Sequence, residues 1–225
     1  VPHRHVVAAH NGFLATAKLD IAFRGKASHA GGKPEAGRNA LLAAANAALN
    51  MYAISRHSEG VTRINVGEFH VGSGRNIIPK EAKLKVETRG ETSAIKAYVK
   101  EQVEAVVKGA AAMYQTDYAI EVVGGAAGCT CSRELAEVLH ACAKEHPWTE
   151  KSMLESDTHA GSEDATYFME EVQQNGGLAT YCVFGTELAA GHHHEKFDIH
   201  EETLLPAVEM LYRTIVKLGK KYFHK

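Results

Sequence analysis

Between Thr92 and Tyr114, the residues Ile95, Val99, Val103, Val106, Ala110 and Met113 recur at steps of three and four. That spacing lines one side of an α-helix with apolar groups, and a long one-sided helix must lay that side on a neighbouring layer. Strand-like segments flank it. Leu14 to Phe23 alternates loosely between apolar and polar residues, Val61 to Val71 and Ala82 to Thr88 read as strands, with Leu84 and Val86 on one face, and Tyr118 to Val123 reads as a fourth. An earlier helix is expected to open at Pro34 and Glu35 and to bury Leu41, Ala44, Ala45, Ala48, Leu49 and Tyr52, an alanine-rich face that invites close packing. The order strand, helix, strand, strand, helix, strand is the split βαβ arrangement, so residues 14–124 are expected to form a ferredoxin-like domain.

Gly124, Gly125 and Gly128 then loosen the chain. A helix is expected from Arg133 to Glu145, carrying Leu135, Val138, Leu139 and Cys142 and stopped by Pro147. Ser162 is the expected cap of another, with Glu163 and Asp164 in its first turn. Leu178 to Phe184 reads as a buried strand, and the last helix shows Leu204, Val208, Leu211, Ile215 and Leu218. One strand makes no sheet. Residues 125–225 therefore read as part of an α/β layer whose other strands come from elsewhere, and Val1 to Phe13, with His5-Val6-Val7-Ala8, is one source.

The 225 residues allow one large domain or two small ones, and 45% hydrophobic with 23% charged residues is a globular composition. Twenty-five basic against 27 acidic residues leave no electrostatic footprint for nucleic acid or an anionic membrane. No apolar run spans a bilayer and no signal-peptide pattern opens the chain, which makes a cytoplasmic protein the default expectation. Cys129, Cys131, Cys142 and Cys182 follow no paired metal spacing and read as reduced structural thiols. The start at Val1, inside a strand-like segment, suggests a fragment or a processed chain.

Fourteen histidines draw attention, because imidazole is the commonest metal ligand and the neutral-pH acid or base. Gly191-His192-His193-His194-Glu195-Lys196-Phe197-Asp198 directly follows the expected buried strand, a place where ligands gather in open α/β sheets. Consecutive histidines point apart, so one of the three is the candidate metal ligand, and a solvated polar turn fits the same letters equally well. His29 sits in the glycine-rich loop from Gly25 to Gly37. Arg75-Asn76 lies between two strands, and Arg89 offers a guanidinium suited to a carboxylate, or else to an ion pair with Glu87 or Glu91. Gly161-Ser162-Glu163-Asp164 is better explained as a helix start than as paired catalytic carboxylates, and no G-x-S-x-G elbow supports a serine hydrolase.

Together, Lys-Ala-Ser-His-Ala-Gly-Gly at His29, Arg-Asn-Ile-Ile-Pro at Asn76, Arg89, and His-His-x-x-x-Phe-Asp at His193 resemble the zinc aminoacylase and carboxypeptidase family of metallopeptidases. Gly-Gly-Lys-Pro-Glu-Ala-Gly-Arg-Asn-Ala-Leu-Leu-Ala-Ala-Ala, Ala-Gly-Ser-Glu-Asp-Ala and Phe-Gly-Thr-Glu-Leu-Ala-Ala-Gly-His-His narrow the likeness to its amidohydrolase branch, over essentially the whole chain. The resemblance implies a ferredoxin-like lid and dimerisation domain inserted in an α/β catalytic domain. Residues 1–13 would end the first catalytic segment, 14–124 would be the lid, and 125–225 the C-terminal part of the catalytic domain.

The resemblance further implies amide hydrolysis of N-acyl amino acids, aminobenzoyl-glutamate among them, with two divalent metal ions, zinc or manganese, in the full-length enzyme. His29 would stabilise the oxyanion and, in dimers, reach into the partner's site; Asn76 and Arg89 would hold the substrate carboxylate; His193 would be a metal ligand. The partner would be a second copy joined through the lid, or a related subunit. The family's remaining ligands and general base precede the lid and have no counterpart here, so the chain is expected to be the C-terminal half of a longer hydrolase, inactive alone and holding no metal by itself. The rival expectation is a non-enzymatic ferredoxin-like module for dimerisation or small-molecule binding.

Overall fold

A computed structural model describes residues 1–156, 161–192 and 194–223, with side chains to residue 220. The chain divides into two compact units, one made of Leu14–Gly128 with Ser162–Thr166, the other of Val1–Phe13, Cys129–Gly161 and Tyr167–Lys225.

In the Leu14–Gly128 unit, β2 (Ala15–Arg24), α1 (Ala40–Tyr52), β3 (Thr62–Val71), β4 (Glu81–Gly90), α2 (Ser93–Met113) and β5 (Asp117–Ala126) follow in the split βαβ order. The four strands form an antiparallel sheet in the order β3-β4-β2-β5. Strict alternation sets the two faces of β4: Ala82, Leu84, Val86 and Thr88 are buried, whereas Lys83 and Lys85 are exposed and Glu87 and Arg89 half-buried. Ala17, Leu19, Ile21 and Phe23 of β2 join the buried face, where Met51, Val103 and Val107 from the helices complete one core.

The Thr92 hydroxyl caps α2 by accepting the Ile95 N–H at 3.2 Å. Its buried side is Ile95, Val99, Val103, Val107, Ala110 and Ala111, while Met113 is exposed. The start of α1 differs from expectation. Pro34–Ala36 makes a separate 3-10 turn, and α1 begins at Ala40, where the Asn39 side-chain oxygen accepts the N–H groups of Leu41 and Leu42. Its buried face is Ala40, Ala43, Ala44, Ala47 and Met51, leaving Leu49 74% and Tyr52 58% exposed. Alanine fills several sides of this helix, so the apolar pattern did not fix its rotation; the small side lies against α2 and the sheet.

In the other unit, β1 (His5–His10) is central. It pairs in parallel with β6 (Lys151–Ser156) and antiparallel with β7 (Val183–Phe184). Val6, Val7, Ala8 and Ala9 are buried, and α3 (Arg133–Lys144) packs on β1 and β6 through a side that includes Ala136 and Leu139. Most of the apolar run before β7 is extended without ladder pairing, held beside β1 by the His10 N–H to the Tyr181 carbonyl at 2.8 Å and the Thr180 hydroxyl to the Ala8 carbonyl at 2.7 Å. α4 (Ala165–Gln174) starts three residues after Ser162, the Glu163 carboxylate accepting the Ala165 N–H at 3.5 Å, so Ser162 is not its cap.

α5 (Leu204–Phe223) turns Met210 and Thr214 inward. His146, buried after the end of α3, meets the Glu209 carboxylate at 2.8 Å and ties the two helices. The side expected to be buried, Leu204, Val208, Leu211 and Ile215, is exposed on this chain. Among the described residues no helix is long and apolar enough to cross a membrane.

Candidate functional site

Two loops of the Leu14–Gly128 unit meet at the ends of β2 and β4. Lys26 and Arg38 exchange both backbone hydrogen bonds at 2.9 Å and close the first loop at its neck. Gly25 is required there, since a Cβ would lie 2.0 Å from the Arg38 carbonyl oxygen. Four main-chain bonds stitch this region to the second loop: Gly25 N–H to Lys80, Ile78 N–H to Ser28, Ala30 N–H to Asn76, and Ala40 N–H to Pro79, at 2.7–2.9 Å. His29 and Ile77 form a bridge, which makes His29 and Asn76 backbone neighbours.

His29 is exposed. Its carbonyl accepts the Lys33 N–H at 3.0 Å, and its ring Nδ1 accepts the N–H of Gly31 at 3.2 Å and of Gly32 at 2.9 Å. The Ser28 hydroxyl donates to the Lys33 carbonyl and tightens the same turn. Asn76 is also exposed.

Arg89 stands elsewhere. It lies eight positions along β4 from Glu81, about 26 Å at ~3.3 Å per residue, at the end of the sheet where β2 begins. This unit therefore makes His29 and Asn76 backbone neighbours and holds Arg89 far from both. The guanidinium is paired with the Glu87 carboxylate at 2.8 Å, both side chains about one-third exposed. This is one of the two ion-pair partners the sequence offered.

His193 lies outside the described residues. Of its neighbours, His192 stacks on Phe197 with ring centroids 5.3 Å apart, and His194 Nδ1 accepts the Lys196 N–H at 3.0 Å. Among the described residues no group of three or more His, Cys, Asp or Glu side chains is placed to hold a metal ion.

The thiols offer no alternative nucleophile. Burial pushes Cys129 and Cys182 up to about 11, and Cys131 and Cys142 are buried. The sequence reading missed the two glycine N–H groups on His29; the Gly31-Gly32 pair, two and three residues after the histidine, was the available signal.

Residues 11–115 match the peptidase dimerisation domain of the M20 family. The chain is 50% identical to indole-3-acetyl-aspartic acid hydrolase of Enterobacter agglomerans, over 94% of this chain and 48% of that protein. It is 47% identical to one of the subunits of p-aminobenzoyl-glutamate hydrolase from Escherichia coli, over 95% and 49%. Among solved structures, an aminobenzoyl-glutamate utilization protein from Klebsiella pneumoniae superimposes with a TM-score of 0.85 at 45% identity, over 95% of this chain and 51% of that one. The chain spans about half the length of the curated relatives it matches. The chain thus carries a peptidase dimerisation domain of the M20 type and resembles these proteins along nearly all of its own length.

Proposed function

We propose that the chain is the C-terminal half of a cytoplasmic, metal-dependent amidohydrolase that cleaves the amide bond of N-acyl amino acids and works as a dimer through the Leu14–Gly128 unit. The observation that carries this reading is the likeness to hydrolases across both units, not across the lid alone. That breadth disfavours a free-standing binding module. The two relatives are named for substrates that join an aromatic acyl group to aspartate or glutamate. The substrate class is accordingly an aromatic N-acyl derivative of a dicarboxylic amino acid.

The residues of this chain bind and stabilise charge. His29 donates a hydrogen bond to the oxygen that becomes negative as the amide carbon turns tetrahedral. The Asn76 amide and the Arg89 guanidinium take carboxylate oxygens, Arg89 by exchanging its Glu87 partner for the substrate. Because one lid separates Arg89 from His29 and Asn76 by far more than their side chains can span, a complete set on one small substrate needs two lids. The partner is a second copy of the chain. A related but distinct protein is the other candidate, given that the Escherichia coli relative is named as a subunit.

His193 is the proposed metal ligand, zinc or manganese being the ions that suit imidazole with carboxylates. The other ligands and the general base belong to the preceding segment, where the bond-breaking chemistry would be supplied.

The test is direct. The full-length protein should hydrolyse p-aminobenzoyl-glutamate or indole-3-acetyl-aspartate in a metal-dependent way, and His29→Ala should lower turnover roughly 10²–10³-fold while sparing metal content. The 225 residues alone should hydrolyse neither. Wild-type turnover in His29→Ala, or hydrolysis by the 225-residue chain alone, would overturn the assignment.

A further inference from the structure

We infer that the backbone N–H groups of Gly31 and Gly32 lock His29 in the tautomer that carries its proton on Nε2, so that a neutral imidazole presents a fixed hydrogen-bond donor. The role of that donor rests on the amidohydrolase reading. The lock itself rests on geometry.

A neutral imidazole has one N–H and one lone pair, and an environment that supplies donors to one nitrogen forces the proton onto the other. Two donors converge on Nδ1 of His29, the Gly32 N–H at 2.9 Å and the Gly31 N–H at 3.2 Å. Neither can be withdrawn by side-chain rotation, because both belong to the main chain. The turn that aims them is held at its base by the Lys33 N–H on the His29 carbonyl and by the Ser28 hydroxyl on the Lys33 carbonyl. It is held at its flank by the Ala30–Asn76 and Ser28–Ile78 main-chain bonds.

Gly32 has a steric reason to be glycine as well. A Cβ there would stand 3.3 Å from Nδ1 and 3.6 Å from Cγ, crowding the ring. Gly31 and Gly32 are thus positioning residues: they touch the imidazole, and the imidazole would touch the substrate. In its neutral form the ring then presents Nε2–H, which can polarise a carbonyl with no proton transfer.

The experiment is ¹⁵N NMR of histidine-labelled chain, all 225 residues, with the His29 signals assigned by their loss in His29→Gln. The expected result is a pyridine-type Nδ1 and a pyrrole-type Nε2 at alkaline pH. A pyrrole-type Nδ1, or two averaged nitrogens, would overturn the lock. In Gly32→Pro, which deletes the shorter donor, the two shifts should move toward an average; if that variant does not fold, the wild-type spectrum decides alone.

In the full-length enzyme, His29→Gln places an amide donor near the position of Nε2, whereas His29→Asn reaches only as far as Nδ1. Gln should retain turnover within about 10-fold of wild type, and Asn should fall with Ala by roughly 10²–10³-fold. Asn outperforming Gln would overturn the donor assignment to Nε2. A full-length protein without any amide hydrolysis would instead overturn the amidohydrolase reading and leave the ring measurement standing.

Discussion

Cys182 shows how one half-buried residue sets a pH limit. In the folded chain burial holds its thiol to about 11, against an ordinary 9.0. Above about pH 9 the unfolded chain binds fewer protons than the folded one, so stability is intact below that pH and falls as pH rises toward 11. The loss from Cys182 reaches at most about 3 kcal/mol, and Cys129, less buried, adds a smaller part in the same direction. Urea midpoints between about pH 8 and pH 10.5 should fall, and Cys182→Ala should flatten the fall; midpoints that rise with pH would contradict the assignment. Residue identity made the thiols and the two candidate groups His29 and Arg89 visible in the sequence. It did not show that the Glu87 carboxylate holds Arg89, because Glu91 stands at the same spacing; the strand ends at Gly90, and the Glu91 carboxylate beyond it accepts the Val61 N–H instead.

Elements with a single strong period were legible. The α2 stripe and the alternation of β2 and β4 each leave one way to bury the apolar side, and the sheet order follows once four strands and two one-sided helices are in place. α1 was misphased because alanine satisfies several rotations. Its true inner side carries Met51, fully buried, and its outer side carries Leu49. Met51→Ala should lower unfolding free energy by about 2–5 kcal/mol, whereas Leu49→Ser should change it by less than about 0.5 kcal/mol. Denaturant titration that ranks them the other way would restore the rotation expected from sequence. β6 was missed altogether: Lys151-Ser152-Met153-Leu154-Glu155-Ser156 carries two apolar residues, and only its parallel pairing with β1 makes it a strand. β7 shrank to two residues for the converse reason, an apolar run whose partner strand accepts only part of it.

On the scale of the whole molecule, the adjacency of His29 and Asn76 was beyond the reach of sequence. It arises from main-chain bonds between loops more than forty residues apart in the chain, as in Ala30 to Asn76. So does the separation of Arg89, which follows from its register on β4. These two facts give the proposed dimer a functional reason: a site that uses the Arg89 of one protomer and the His29 of the other. The most direct measurement is protomer mixing with full-length His29→Ala and Arg89→Ala proteins, each impaired alone, dissociated and reassociated together. Mixed dimers contain one site with both residues intact, so the mixture should recover about a quarter of wild-type turnover. A mixture no more active than its two components would contradict the shared site.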